Sequence, residues 1–199
     1  MIGTVLLGFV LLFALSAVFF DAKGSDRGSR ISAILAGLAA IGASAVLFAI
    51  ILSNDFSYSY VASYSSIDLP LVYKISAFWA GQQGSFLLWL LIHALVGTYM
   101  VCTNRLTGTG RIIYHLLTAM LVILVFIKSP FAPAEHIMPD GYGMNPLLQD
   151  PWMAVHPPII FIGYALLAVP FVYSLESMMR SPADGNFLAP MRRWTLIAW

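Results

Sequence analysis

Apolar residues are concentrated in five long runs, and polar connections separate the runs. The runs are Ile2–Phe20, Ile31–Leu52, Ser85–Cys102, Ile112–Ile127 and Ile159–Met179. Each run reaches or approaches the roughly 20 residues that a helix needs to cross the hydrocarbon layer of a membrane. Another apolar stretch starts at Trp194 and reaches the last residue, Trp199, with no helix stop. The pattern predicts an all-α polytopic membrane protein with five transmembrane helices and the start of a sixth, cut short.

Composition agrees with this class and limits the partners. Hydrophobic residues make up 60% of the chain, charged residues make up 10%, and the mean hydropathy is +0.85. The net charge is only +1, so membrane lipid is an expected partner and nucleic acid is not. The single cysteine, Cys102, excludes an internal disulfide. We expect residues 1–199 to form a single transmembrane domain without a soluble domain.

The basic residues predict the orientation, because short cytoplasmic loops carry the excess of Lys and Arg. The first, third and fifth connections contain Lys23, Arg27, Arg30, Arg105, Arg111, Arg180, Arg192 and Arg193. The other side has only Lys74 and Lys128. This bias places the N-terminus outside the cytoplasm, together with outer segments 53–84 and 128–158. In a bacterium these segments would face the periplasm from the inner membrane.

The first outer segment carries alternating and glycine-containing motifs. Aromatic and small polar residues alternate in Phe56–Val61, which predicts a short extended stretch at the membrane interface. Asp68–Trp79 predicts a short helix with Pro70 in its first turn, ending at Gly81.

Trp79 and Trp89 flank a second motif, which contains two glycines and two amide side chains, Gln82 and Gln83. The glycines allow a tight bend that would hold the amides between the two indoles, where a flat aromatic ligand would fit. The alternative is that both indoles only anchor the chain at the interface.

Three of the four histidines have ordinary explanations. His93 lies near the middle of the third run, where an imidazole can ligate a metal or hydrogen-bond a neighbouring helix. His115 follows Tyr114 near the cytoplasmic end of the fourth run and is expected at the membrane interface. His136 is expected to be solvated in an outer loop.

His156 is the candidate metal ligand, because its surroundings restrict it. The proline pair Pro157-Pro158 follows it, so we expect His156 to be extended and the fifth helix to begin at these prolines. The imidazole would then lie at the outer mouth of that helix, where it could approach the iron of an amphipathic macrocycle. Trp152 could pack nearby, and Gln149 or Asp150 could orient the other ring nitrogen. The alternative is a helix cap or an ordinary surface residue.

Two motifs together resemble a known family. Trp79–Ser85, and Asn145–Pro158 followed by Gly163-Tyr164, closely resemble the CcmF-type haem lyases of cytochrome c biogenesis. Asp68–Pro70 and Arg193–Thr195 extend the resemblance over most of the chain.

The resemblance implies a role in delivering b-type haem to apocytochrome c, whose Cys-x-x-Cys-His peptide receives thioether bonds on the outer face. It implies a haem chaperone as donor, other cytochrome c maturation proteins as partners, and His156 as an axial haem ligand. The family's tryptophan-rich platform and second outer histidine would follow Trp199. The chain is therefore expected to be the N-terminal part of a larger haem-lyase domain, unable to catalyse ligation alone. Gln83 replaces an often acidic family residue, and only Lys74 and Lys128 are available outside for haem propionates.

Two other classes remain open. Intramembrane histidines also occur in proton- or ion-translocating subunits, but no Asp, Glu, Lys or Arg lies in the middle of a run here. A non-catalytic membrane scaffold that docks partners through its outer loops is the third class.

Overall fold

The computed structural model describes residues 1–179 and 187–199, and helices account for most of them. The helices are α1 (Ile2–Ala22), α2 (Asp26–Leu52), α3 (Ser59–Tyr64), α4 (Leu71–Ser76), α5 (Gln82–Cys102), α6 (Gly108–Ile127), α7 (Pro151–Met179) and α8 (Leu188–Ala198). By length and hydropathy, α1, α2, α5, α6 and α7 can each cross a membrane. The prediction of an all-α protein with five membrane-length helices is confirmed.

Short turns connect two pairs of long helices. Between α1 and α2, Gly24 has a φ of +70°, a conformation that glycine adopts without steric cost. The Ser25 hydroxyl then accepts a hydrogen bond from the Gly28 N–H, which caps the start of α2. Asn104, with a φ of 53°, serves the corresponding turn between α5 and α6. Each pair is therefore an antiparallel hairpin.

A stripe of small residues lets α2 pack closely within the bundle. Its members Ser32, Ala36, Ala40 and Ser44 are all buried. On the side facing α5, the Thr98 hydroxyl lies 2.9 Å from the Ala33 carbonyl oxygen. Helix α2 packs against α1 and α5, α7 packs against α5 and α6, and α8 packs against α7.

The two long connections, 53–81 and 128–150, pack on each other at one end of the bundle. The Ser59 N–H donates to the Ala132 carbonyl at 3.0 Å, and the Ala134 N–H donates to the Ser57 carbonyl at 2.8 Å. Farther along, the Tyr142 N–H donates to the carbonyl of Ala62 at 2.8 Å. The start of α7 lies at this end, which we call the His156 end.

The first outer segment differs from the sequence prediction. Phe56–Val61 is not extended throughout, because α3 begins at Ser59 and only Tyr58 forms a β-bridge, with Pro133. Tyr60 is almost fully buried in the hydrophobic core, where its large aromatic ring adds apolar contact area. The helix predicted over Asp68–Trp79 is shorter, with α4 followed by a 3-10 turn over Ala77–Trp79.

The fifth membrane helix also begins earlier than predicted. Helix α7 starts at Pro151, so His156 is helical and Pro157 and Pro158 lie inside the helix. The expected extended geometry at His156 is therefore wrong. Helix α8 likewise begins at Leu188, before Trp194. Arg180, which contributed to the predicted orientation, lies outside the described residues.

Candidate functional site

His156 is exposed in the second turn of α7. Helical spacing places Trp152 and Ile159, four residues before and three residues after it, on the same face. These two side chains are 79% and 60% exposed. His156 forms no hydrogen bond or ion pair with any residue in the described ranges 1–179 and 187–199. The structure therefore presents an unpartnered imidazole on an exposed apolar surface.

The start of α7 is fixed by Asp150. Its carboxylate accepts hydrogen bonds from the N–H groups of Trp152 at 2.8 Å and Met153 at 3.4 Å. The preceding residue, Gln149, donates its amide N–H to the Met144 carbonyl at 3.0 Å. Both predicted orienting residues thus bond to backbone groups and not to the imidazole of His156. A helix needs an acceptor for its first N–H groups, and Asp150 meets that need.

Trp79 contacts the same part of α7 through a hydrogen bond. Its indole Nε1–H donates to the Ala154 carbonyl oxygen over 3.0 Å. In a regular helix this oxygen would accept from the N–H of residue 158, but that residue is Pro158 and has no N–H. The indole of Trp79, which the sequence predicted to face a ligand, therefore uses its N–H to bond the backbone of α7.

The turn that carries Trp79 is tied down by Tyr60. The Tyr60 hydroxyl lies 2.9 Å from the Ala77 carbonyl oxygen and accepts a hydrogen bond from the Gly81 N–H at 3.1 Å. Burial raises the pKa of the Tyr60 hydroxyl above its ordinary value, so this residue stays a neutral donor. Sequence reasoning missed Tyr60 because its neighbours read as an ordinary aromatic belt.

The glycines of this motif are required for close contact rather than for a special backbone conformation. Gly81 is extended, with a φ of −117°. A Cβ at Gly84 would overlap the Phe78 carbonyl oxygen and the Tyr60 hydroxyl, and a Cβ at Gly81 would overlap the Tyr64 ring. The sequence predicted that these glycines allow a tight bend, whereas in the structure their absent side chains allow close packing.

The remaining members of the predicted aromatic site do not gather around His156. Gln82 is exposed at the first position of α5. Trp89 lies deeper in the bundle, with its ring centroid 5.9 Å from that of Tyr164 and 6.4 Å from that of Phe161. The two indoles thus face different parts of α7 and line two different cavities.

A cavity of about 180 Å³ lies between the Trp79 turn and α7, lined in part by Ser85, Met144 and Pro157. Pockets that enclose drug-sized ligands usually have volumes of about 300–1,000 Å³. The cavity beside Trp79 is smaller than such pockets.

His93 is buried in the middle of α5. Its ring stacks on that of Tyr114, with centroids 4.3 Å apart and an interplanar angle of 10°. Neither ring nitrogen has a hydrogen-bond partner among the described residues. His93 also lines a cavity of about 240 Å³ with Trp89 and Tyr164. The neighbouring helix is thus contacted by ring stacking and not by the imidazole hydrogen bond that the sequence suggested.

At the opposite end of the bundle, charged groups join α1, α2 and α6, with Asp21, Arg111 and His115 buried and Asp26 exposed. Arg111 Nη1 lies 2.6 Å from the Asp26 carboxylate and 3.8 Å from that of Asp21. His115 Nε2 lies 3.6 Å from the other Asp21 oxygen. His115 is only 3% exposed and is therefore packed inside the bundle, while its place at the depth of the membrane interface stays a prediction. We call this cluster of Asp21, Asp26, Arg111 and His115 the Arg111 end.

Of the other outer candidates, His136 is exposed and lines a groove of about 400 Å³ with Glu135 and Tyr142. Lys74 Nζ donates to Asn54 Oδ1 at 2.8 Å, which leaves Lys128 as the more accessible outer lysine. No group of three or more His, Cys, Asp or Glu side chains in the described part of the chain could hold a metal ion. His156 therefore offers a single ligand.

The two motifs at the His156 end, Trp79–Ser85 and Asn145–Pro158, lie within residues 79–199, which match the family model for cytochrome c assembly protein. The chain belongs to this family. It is 33% identical to the cytochrome c-type biogenesis protein CcmF of Escherichia coli (strain K12), over 97% of this chain and 31% of that protein. It is 35% identical to the cytochrome c-type biogenesis protein ccl1 of Rhodobacter capsulatus, over 82% of this chain and 26% of that protein.

Among solved structures, the cytochrome c heme lyase CcmF superimposes with a TM-score of 0.81 and 26% sequence identity. The match covers the whole of this chain and 33% of the lyase chain. The family resemblance expected from the two motifs is confirmed. Five membrane-length helices and bacterial relatives indicate an inner-membrane protein. This member of the cytochrome c assembly family spans about a third of the length of the relatives it matches.

Proposed function

We propose that the His156 end binds b-type haem during cytochrome c maturation, with His156 as one axial ligand of the iron. The observation that carries this proposal is the exposed imidazole of His156, which has no partner among the described residues and shares a face of α7 with Trp152 and Ile159. Imidazole nitrogen is a usual axial ligand of haem iron, and the apolar side chains can cover part of the macrocycle. The cytochrome c biogenesis relatives agree with this chemistry.

In the proposed orientation the His156 end faces the periplasm. The reason is that most Lys and Arg residues lie in the connections at the other end of the helices, and such an excess is typical of the cytoplasmic side. A haem chaperone would deliver haem there, and an apocytochrome with a Cys-x-x-Cys-His peptide would receive it. Lys128, exposed at the end of α6, is the outer cation available to a propionate.

In this scheme the protein contributes position rather than bond-making groups. His156 holds haem by its iron so that the vinyl edge faces the incoming peptide. Each thioether forms when a cysteine S–H adds across a vinyl double bond, with sulfur on one carbon and hydrogen on the other. His156 is unchanged at the end and releases the product when its iron bond breaks.

The test replaces His156 with alanine in the full-length protein. We expect His156→Ala to abolish most of the haem absorbance of the purified protein and to lower the yield of mature cytochrome c by at least about tenfold. Protein amount in the membrane should stay unchanged, because His156 is exposed and supports no other group.

His136→Ala is the matched control, since His136 is also an exposed histidine of the outer segments. It should retain both haem and cytochrome yield. Unchanged haem absorbance and unchanged cytochrome yield in His156→Ala would remove His156 from the scheme. A loss of equal size in both variants would show that the effect is not specific to His156.

A further inference from the structure

We propose that Trp79 is a positioning residue for His156. Its indole N–H replaces the backbone donor that Pro158 lacks and thereby holds the first turns of α7 in one place. The consequence for haem rests on the function proposed above, whereas the mechanical role of Trp79 can be tested without haem.

The first step of the argument concerns the Ala154 peptide. Its N–H donates to the Asp150 carbonyl oxygen at 3.1 Å, as expected in a helix. Its carbonyl oxygen has no helical donor, because residue 158 is a proline. The Trp79 indole supplies the missing donor at 3.0 Å. Ala154 is only partly buried, so without Trp79 its oxygen would turn toward water and the local helix would loosen.

The second step concerns distance along the helix. His156 follows Ala154 by two residues, a rise of about 3 Å. A hydrogen bond that fixes the Ala154 peptide therefore fixes the backbone from which the imidazole projects. The axial bond to iron depends on the direction of the imidazole, so freedom of this turn lowers the fraction of protein ready to bind.

The third step concerns the rigidity of Trp79 itself. Its own carbonyl accepts a hydrogen bond from the Ser85 hydroxyl at 3.0 Å. The preceding ring, Phe78, is fully buried and stacks on Phe48 with centroids 4.4 Å apart. The 3-10 turn thus contacts both α5 and α2, which fixes its position. The hydrogen bond from the Trp79 indole to the Ala154 carbonyl then fixes α7 relative to this turn.

Trp89 provides the contrast that makes the proposal specific. Trp89, in α5, also faces α7, but its indole nitrogen is buried without a hydrogen-bond partner in the described residues. Replacing Trp89 with phenylalanine removes an indole N–H without releasing a carbonyl of α7. Trp89→Phe is therefore the matched control for Trp79→Phe.

The first measurement is hydrogen–deuterium exchange of the α7 peptide containing Met153–His156, made on haem-free full-length protein in detergent. We expect Trp79→Phe to speed exchange by about fivefold to tenfold, which corresponds to one lost hydrogen bond. Trp89→Phe should exchange like the wild type in this peptide. Equal exchange in Trp79→Phe and the wild type would overturn the proposal.

The second measurement is rescue. Pro158→Ala restores an N–H four residues after Ala154, so the double variant Trp79→Phe/Pro158→Ala should recover slow exchange. Pro157→Ala restores an N–H directed at Met153 and should not rescue Trp79→Phe. Rescue by both alanines, or by neither, would overturn the proposal. If Trp79→Phe does not accumulate, the amount of protein in the membrane becomes the measurement. Recovery of that amount in Trp79→Phe/Pro158→Ala but not in Trp79→Phe/Pro157→Ala supports the proposal. Absence of this recovery overturns it.

The third measurement is haem retention, which should fall by about threefold to tenfold in Trp79→Phe and return in the double variant with Pro158→Ala. The exchange rate in Trp79→Phe tests whether Trp79 holds α7, and the haem absorbance of His156→Ala tests whether His156 binds haem. Fast exchange in Trp79→Phe together with full haem retention by His156→Ala would reject the haem function and leave the hold on α7 standing.

Discussion

The two ends of the bundle satisfy their polar groups in different ways. At the Arg111 end, the buried guanidinium of Arg111 pairs with the exposed carboxylate of Asp26 and lies near the buried carboxylate of Asp21. At the His156 end, neutral backbone groups are capped by Asp150 and the Trp79 indole, and the imidazole of His156 is left exposed. Both ends carry a histidine, but His115 is enclosed and His156 is accessible.

The difference shows why His156 is a candidate ligand and His115 is not. His115 faces the Asp21 carboxylate and is 3% exposed, so a ligand could reach it only by opening the bundle. His156 needs no such opening. The ionic groups of the Arg111 end enclose His115, whereas the local caps at the His156 end stabilise a helix start without covering its outer face.

The largest expected effect on stability is that of Arg111→Ala, at the Arg111 end. This change leaves two carboxylates without their partner, one of them buried, and we expect a loss of about 3–5 kcal/mol of stability. The measurement is the thermal unfolding midpoint of the purified protein. Arg27→Ala, which removes an exposed arginine near the same end, should leave the midpoint nearly unchanged. A small effect of Arg111→Ala would mean that this end is not held by its buried charges.

The next effect concerns the neutral packing of the His156 end. Gly84→Ala would place a Cβ against the Phe78 carbonyl and the Tyr60 hydroxyl, so we expect a loss of about 1–3 kcal/mol or failure to accumulate. Gly8→Ala is the control, because a Cβ at Gly8 meets no atom within 4 Å. Accumulation in the membrane and the unfolding midpoint would be compared. Equal behaviour of the two alanines would contradict the close packing at Gly84.

The smallest expected effect is at the cap of α7. Asp150→Ala removes the acceptor of two backbone N–H groups and should cost about 1 kcal/mol, mainly as faster amide exchange in the first turn. Asp150→Asn keeps an acceptor oxygen and should restore slow exchange. If Asp150→Asn lost haem as fully as His156→Ala, the carboxylate charge and not the cap would be the important property of this residue.

Much of the fold follows from local sequence, but the predicted site was only partly correct. The exposure of His156 agrees with the expectation, while its extended geometry was wrong because α7 begins at Pro151, where the Asp150 carboxylate caps it. Pro158 made a free carbonyl at Ala154 foreseeable, since a proline removes the bond to the residue four positions earlier. That Trp79 supplies the donor was not foreseeable, because 75 residues separate the two groups.

The sequence by itself determined the number of the membrane helices and their order along the chain, since apolar runs of membrane length favour helices that bond their own backbone groups internally. It also determined family membership, because Trp79–Ser85 and Asn145–Pro158 are long and specific motifs. Only the tertiary structure decided that His115 is enclosed, that Tyr60 ties the Trp79 turn, and that Trp79 and Trp89 face different parts of α7. These relations depend on contacts between distant segments, which local pattern and spacing do not specify.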